Sequence, residues 1–350
     1  MHSSMKSLVG KVITACGPVA PEALGKVQMH EHLHADMFDW EKDCLIREER
    51  PISAERRAFL MREAVPHMKA CVEQYGPCAW VETSMNPWRA WPTFYREVTE
   101  LTGMHCILIS GFYRQVEGGK YWAKHRAEDG ISPMLLDHSI EELVAFCVRE
   151  VAEGIHGTGI RAGGLKFGTS ATQMTEMEIK AARVVARAQK QTGVHITTHC
   201  PPGGDIAQLR LMDEEGVDLS RLVIGHTARH LMNPETRKTC MEWMRRGANY
   251  LPTNFGIANL ADIERCERWR PLVEGIHEVF QCGLGAHICF SLDGAFCSES
   301  GPFAFSIVAP PPLFLNMYTH TLPAFRKLGL TAEEEDWIMR RNPQRILPVA

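Results

Sequence analysis

VHITTH, residues 194–199, is a mostly β-branched run that follows Gly193 and precedes two prolines. The run is too short for a helix, and β-branched residues favour extended backbone, so it predicts a strand. Upstream, Thr175 and Glu178 form a capping box, which predicts a helix that ends at Gly193. A helix that leads directly into a buried strand is one unit of an alternating α/β fold.

The same alternation recurs along the chain. A second capping box, Ser139 with Glu142, predicts a helix that ends at Gly154. Seven further runs have the strand pattern: VQMHEH (27–32), AWVETS (79–84), HCILIS (105–110), GGLKFG (163–168), LVIGH (222–226), NYLPT (249–253) and ICFSLD (288–293). Eight strands alternating with helices predict a (β/α)8 TIM barrel. Because no linker or composition shift interrupts the chain, we expect residues 1–350 to form a single domain.

Composition excludes several classes of partner. The 350 residues are 45% hydrophobic, and 38 Lys+Arg against 42 Asp+Glu give a net charge of -4, so no basic excess attracts nucleic acid or anionic lipid. No apolar run approaches the roughly 18 residues that span a bilayer. The 12 cysteines are scattered without a C-x-x-C pair, which is typical of reduced thiols. We therefore expect a cytoplasmic protein that binds neither nucleic acid nor membranes.

Polar residues mark the ends of the predicted strands, where a TIM barrel builds its active site. His30 and His32 end the first strand, and alternation places both on the barrel interior. The other strand ends carry Lys166, His199, His226 and Asp293. One buried histidine alone is more often a hydrogen-bonded core residue. Four histidines and a carboxylate at one mouth instead predict a metal site.

Lys166 requires a separate interpretation, because an ammonium offers no lone pair to a cation. The lysine can form a Schiff base with a carbonyl substrate. Alternatively, it can react with carbon dioxide to give a carbamate, an anionic group able to bridge two metals. The surrounding histidines favour the carbamate.

An ordered set of motifs resembles the phosphotriesterase family of the amidohydrolase superfamily, which includes the phosphotriesterase-like lactonases. The motifs are HEH (30–32), GFY (111–113), HGTGIRAGGLKFG (156–168), TTH (197–199), IGH (224–226), SLD (291–293) and a late RNP. The resemblance extends over residues 10–347, the expected limits of the barrel.

The resemblance implies a binuclear metal centre at the C-terminal end of the strands. His30, His32 and Asp293 would hold one metal, and His199 and His226 the other. N6-carboxylated Lys166 and a hydroxide would bridge the two ions. Zinc is the expected metal, with manganese and cobalt as alternatives. Asp293 is the expected acceptor of the hydroxide's proton.

The chain departs from the family pattern around the pocket. Arg229 stands where an aspartate is usual, Asn254 where histidine or arginine is common, and Gly294 where an aromatic residue often follows the metal aspartate. Tyr113 matches the family position of an aromatic residue beside the metals, which implies a catalytic role in which its hydroxyl or ring steadies the leaving oxygen. A packing role is an equal alternative. The candidate substrate contacts are Tyr113, Arg229, Asn254 and Phe296.

Two features near the mouth of the barrel allow more than one interpretation from sequence. The loop 294–314 carries Phe296 and Phe303 and predicts a lid over an apolar cavity, or alternatively a subunit interface. Arg114, Lys120 and Arg229 could place positive charge near an anionic substrate, although rim charges are usually only solvated.

The predicted function is a hydrolase that opens a lactone or a related carboxyl ester. Phosphotriester cleavage is the leading alternative, and amide hydrolysis is a further one. A Schiff-base lyase using Lys166 and a non-catalytic barrel are the rival classes. The expected partner is a small-molecule substrate, and a homodimer is a family-level expectation.

Overall fold

A computed structural model describes residues 2–33, 49, 52, 54–84, 92–112, 114, 138–255, 262–294 and 313–350. Within these residues the fold is built on a seven-stranded sheet whose neighbours are all parallel and follow chain order. A short antiparallel pair precedes it. The strands are β1 (Val12–Thr14), β2 (Gly17–Val19), β3 (Lys26–Glu31), β4 (Cys78–Glu82), β5 (His105–Gly111), β6 (Gly164–Gly168), β7 (His195–His199), β8 (Leu222–Gly225) and β9 (Asn249–Leu251).

The predicted eighth barrel strand, residues 288–293, is an irregular segment that joins β9 to β3. The N–H of Cys289 donates to the carbonyl of Tyr250 on β9 (3.0 Å), and the N–H of Met29 on β3 donates to the carbonyl of Phe290 (3.3 Å). Further backbone hydrogen bonds follow on both sides, but the N–H groups of Leu292 and Gly294 donate to the Glu31 side chain, and Asp293 between them is left-handed. The strand count is therefore corrected to seven regular strands, while the α/β TIM-barrel prediction is confirmed.

Helices connect successive strands, and both predicted capping boxes are formed. The hydroxyls of Ser139 and Thr175 accept hydrogen bonds from the third helical N–H, and Gly193 ends its helix in the left-handed conformation. These features explain why the two helices begin and end where the sequence predicts.

The helices are α1 (Ala54–Glu63), α2 (Val65–Tyr75), α3 (Pro92–Thr102), α4 (Ile140–Ala152), α5 (Glu176–Thr192), α6 (Asp205–Glu214), α7 (Ala228–Met232), α8 (Pro234–Arg245), α9 (Ile263–Glu267), α10 (Arg270–Gln281), α11 (Leu313–Asn316), α12 (Leu322–Lys327), α13 (Ala332–Asp336) and α14 (Asn342–Ile346). π-Helical turns at Met317–Thr321 and Trp337–Arg341 join α11 to α12 and α13 to α14.

The core lies around the barrel wall, since strands such as β4 and β6 are buried along their whole length. This is expected of a parallel sheet covered on both faces. The ten cysteines within the described ranges are free thiols. Among the described helices, none is long and apolar enough to cross a bilayer.

Candidate metal centre

The first two candidate ligands lie where β3 leaves the sheet. β3 contains His30, and His32 follows its last residue, Glu31. A β-bulge interrupts the pairing between Gln28 and Glu31, and bulges beside functional sites re-aim side chains. The two imidazole rings meet edge to face, with centroids 5.6 Å apart. They therefore lie side by side at the carboxyl end of the sheet.

Asp293 lies between two groups of histidines. Its Oδ1 is 3.4 Å from Nε2 of His30 and 3.4 Å from Nε2 of His32. Its Oδ2 is 3.5 Å from Nδ1 of His226. Ligand atoms of His30, His226 and Asp293 lie within 4.8 Å of one another, which is close enough for one ion to be held among them.

Lys166 and His199 complete the cluster. Lys166, on β6, is fully buried; its Nζ lies 3.3 Å from Nε2 of His30 and donates to the carbonyl of Thr83 (3.1 Å). His199 ends β7, with its ring 4.3 Å from the ring of His226. The structure thus brings together all six residues that the sequence assigns to metal binding.

The protonation states of the histidines fit metal binding. Burial lowers the pKa of His226 to about 4, and burial with the nearby Lys166 holds the pKa of His30 well below its ordinary value. Both rings are therefore neutral near pH 7 and can offer a lone pair to a cation. Nε2 of His226 is buried without a hydrogen-bond partner among the described residues. A bound cation would satisfy this nitrogen.

Two residues of the cluster and the neighbouring Asn254 have a left-handed backbone, which is rare outside glycine. The φ angles are 61° at His226, 63° at Asn254 and 56° at Asp293. Only one other non-glycine residue in the described part of the chain has a positive φ. Such conformations cost of order 1–3 kcal/mol each and persist where surrounding contacts enforce them. The concentration of strain at one mouth is typical of a functional site.

The residues that the sequence suggests as substrate contacts lie at different positions relative to the cluster. The Asn254 amide donates to Oδ2 of Asp293 (3.1 Å), so it faces the carboxylate. Arg229 lies exposed in α7, one turn beyond His226. Burial is the largest cause of the lowered pKa values of Lys166, His199 and His226, and the positive charge of Arg114 adds to it in each case. Outside the described residues lie Tyr113, Lys120, Phe296 and Phe303.

Two buried glutamates accept hydrogen bonds from the backbone next to the cluster residues. The alternation of side chains along a strand does not by itself predict this role. The carboxylate of Glu31 accepts hydrogen bonds from the segment around Asp293. Burial raises the pKa of Glu31, whereas the hydrogen bonds from Ser291, Leu292 and Gly294 lower it. Because backbone N–H groups donate to both of its oxygens, the geometry favours the ionised carboxylate. Glu82 accepts the N–H of Leu33 (2.6 Å), and its Oε1 lies 3.9 Å from Nδ1 of His32. The available signal is a charged residue inside a buried strand, which requires a partner.

A parallel barrel with histidines, a lysine and an aspartate at the carboxyl ends of its strands defines the class: a TIM-barrel protein with a candidate metal centre. The sequence model of the Phosphotriesterase family matches residues 10–347. The chain therefore belongs to the phosphotriesterase family, as the motifs predict.

The chain is also similar to individual proteins whose structure or name is known. A mutant of a PTE-like lactonase from Deinococcus radiodurans superimposes with a TM-score of 0.75 at 26% identity, over 96% of this chain and 99% of that one. N-acetyltaurine hydrolase of Rattus norvegicus is 26% identical over 98% of this chain and 99% of its own length. A phosphotriesterase homology protein of Mycobacterium tuberculosis is 30% identical over 59% of this chain. The chain spans only 61% of that last relative.

Proposed function

We propose that this protein is a binuclear metal-dependent hydrolase that opens a lactone or a related carboxyl ester. The observation that carries the proposal is the placement of Asp293, whose two oxygens face different histidines. Oδ1 faces His30 and His32, and Oδ2 faces His226. A single carboxylate between two histidine groups is suited to a centre with two cations.

In this proposal His30, His32 and Asp293 hold one divalent cation, and His199 and His226 hold the other. Two such cations, zinc in the first instance, would lower the pKa of a shared water and polarise the substrate's reacting oxygen. Asp293 faces both positions and accepts the proton of the attacking water. Burial raises the pKa of Asp293, but His226, His32 and Lys166 together lower it below its ordinary value, which keeps the carboxylate ionised for this role.

Lys166 is the proposed bridge as an N6-carboxylated side chain. Carbamate formation joins the neutral amine to the carbon of CO2 and releases one proton. Burial lowers the pKa of Lys166 to about 7, against the opposing charges of Asp293 and Glu82. A large fraction of the amine is therefore neutral near pH 7 in the metal-free protein, whereas an ordinary lysine would be almost entirely protonated.

The pKa of Lys166 predicts how metal reconstitution depends on pH. At fixed dissolved CO2, the rate at which chelated protein regains zinc should rise from pH 6 to about 7 and then level off, because the neutral amine reacts. Stopped aliquots assayed for protein-bound zinc measure this rate. A tenfold rise for each pH unit up to pH 9 would show an amine of ordinary pKa. A rate independent of CO2 would exclude the carbamate.

Amide hydrolysis is the second candidate, because the relatives that match nearly the full chain are named N-acetyltaurine hydrolase. An N-acyl sulfonate carries a carbonyl for the same attack and an anionic group. Arg114 packs against Gly168 at the end of β6 and supplies positive charge near His199, where it adds to the effect of burial in lowering the pKa of that ring. This arrangement suits an anionic substrate.

A substrate panel separates these candidates. Zinc-loaded protein is assayed with lactones of several ring sizes, an N-acyl sulfonate and an aryl dialkyl phosphate, by proton release, free amine and released phenol respectively. The proposal expects the lactones to react with the highest kcat/KM. Preferential release of amine would favour amide hydrolysis instead. A borohydride-trapped adduct on Lys166 with chelator-resistant activity would contradict both and support a lyase.

A further inference from the structure

We propose that Glu31 is a positioning residue that holds the backbone on both sides of Asp293 and so aims this carboxylate at the metals. The inference rests on the proposed metal centre. Glu31 is fully buried between the two histidines of the HEH motif. Strand alternation turns its side chain away from the interior face that carries His30 and His32.

Three donors converge on the Glu31 carboxylate. Oε1 accepts the hydroxyl of Ser291 (2.6 Å) and the N–H of Leu292 (2.6 Å), and Oε2 accepts the N–H of Gly294 (2.9 Å). The two backbone donors are the residues immediately before and after Asp293. A carboxylate supplies an acceptor oxygen to each, which a neutral side chain with one acceptor oxygen cannot do.

Further hydrogen bonds join the segment around Asp293 to the HEH motif. The N–H of Asp293 donates to the carbonyl of His30 (3.1 Å), and the N–H of His32 donates to the carbonyl of Gly294 (2.9 Å). The Ser291 hydroxyl also accepts the N–H of His30 (2.8 Å). The HEH motif therefore contributes two candidate ligands and, through its middle residue, the support for a third.

This support explains the irregular eighth barrel segment. Ordinary ladder bonds would close the sheet without burying a charged group, and burial of a carboxylate is costly unless donors surround it. A regular strand, however, would not give Asp293 its φ of 56°. The Glu31 oxygens accept the N–H groups of Leu292 and Gly294, and this allows a left-handed residue between them while the neighbouring backbone hydrogen bonds remain. The Glu31 contacts thus enforce a conformation that an unsupported aspartate would leave.

Glu31→Gln tests the inference, because the amide retains one acceptor oxygen. In the more favourable orientation of the amide, its oxygen still accepts the hydrogen bonds from Ser291 and Leu292. The amide nitrogen then faces the N–H of Gly294, and because both groups are donors, that hydrogen bond is lost. The change therefore loosens the residue directly after Asp293. We expect roughly a 10–100-fold loss of kcat or of affinity at one metal position, as loss of an outer hydrogen-bond partner produces, with little change in KM.

The deciding readout is the visible absorption of the cobalt-loaded protein, which reports ligand geometry. Glu31→Gln should change the shape of this spectrum and weaken one of two cobalt-binding steps. The matched control is Glu150→Gln, since Glu150 is also buried and accepts a strand serine hydroxyl, Ser110 (2.5 Å), away from the cluster. The control should keep the wild-type spectrum and kcat even where its stability falls.

Three outcomes distinguish the possibilities. A wild-type spectrum and kcat in Glu31→Gln would overturn the inference alone and leave Glu31 a merely structural residue. A wild-type protein that binds no cobalt would overturn the proposed metal centre and the inference with it. If Glu31→Gln does not fold, Ser291→Ala replaces it, since it removes one donor of the same network; an unchanged cobalt spectrum in that variant would also contradict the inference.

Discussion

Lys166→Ala is expected to lose most of the bound metal and nearly all activity. Lys166 is fully buried beside His30, with its Nζ 3.3 Å from Nε2 of that ring. Alanine removes the only side chain proposed to bridge both cations, so the loss of activity should exceed the roughly 10–100-fold that removal of an outer hydrogen-bond partner costs. Metal content per chain by elemental analysis, after dialysis against metal-free buffer, measures the effect.

Lys180→Ala is the control for this variant. Lys180 donates to the carbonyl of His138 on a neighbouring loop and has no part in the proposed centre. It should keep the wild-type metal content. A near-normal metal content in Lys166→Ala would exclude the carbamate bridge. The histidines and Asp293 would then bind the metal without Lys166.

Asp293→Asn is expected to reduce kcat by about 10²–10⁴, the contribution of a positioned proton acceptor. Asparagine preserves the size of the side chain but has one acceptor oxygen and no negative charge. It therefore cannot face both histidine groups as Asp293 does, nor accept the proton of the attacking water. Steady-state kinetics at saturating metal separates this chemical loss from weaker metal binding.

Asp336→Asn provides the comparison, because Asp336 forms surface ion pairs with Arg340 and Arg341. Exposed ion pairs contribute little to stability, so this variant should retain wild-type kinetics. If Asp293→Asn lost less than about tenfold in kcat at full metal occupancy, another residue would have to accept the proton.

The sequence predicts the barrel because local signals and the global fold agree. Capping boxes at Ser139 and Thr175 set the starts of two helices, and Gly193 sets an end. Seven of the eight predicted runs then coincide with strands β3 to β9. Because the local conformational preferences agree with the tertiary fold, such helices and strands can be predicted from a single sequence.

The ligand cluster is predictable for a geometric reason. In a parallel barrel all strands end at one mouth, so residues such as Lys166, His199 and His226 converge although 60 positions separate the first from the last. The side-chain period of two then places His30 and His32 on the same face. Strand ends and alternation are sufficient for this inference.

The sequence does not predict what depends on a single backbone angle or a long-range contact. Asp293 has a φ of 56°, which no local pattern indicates, and this angle makes the eighth segment irregular. Glu31 contacts residues some 260 positions away, so its role is visible only in three dimensions. Asn254 lies at a loop position that suggests substrate contact, yet its amide faces Asp293 in the folded chain.

The most direct test of the central claim is a metal titration of the chelated protein. Zinc is added in equivalents per chain at fixed CO2, and hydrolysis of the best substrate from the panel is recorded at each step. The binuclear proposal predicts that activity is lost on chelation, returns with added zinc and reaches its plateau at two equivalents. Activity that survives complete chelation, or a plateau at a single equivalent, would contradict a two-metal centre built on His30, His32, Lys166, His199, His226 and Asp293.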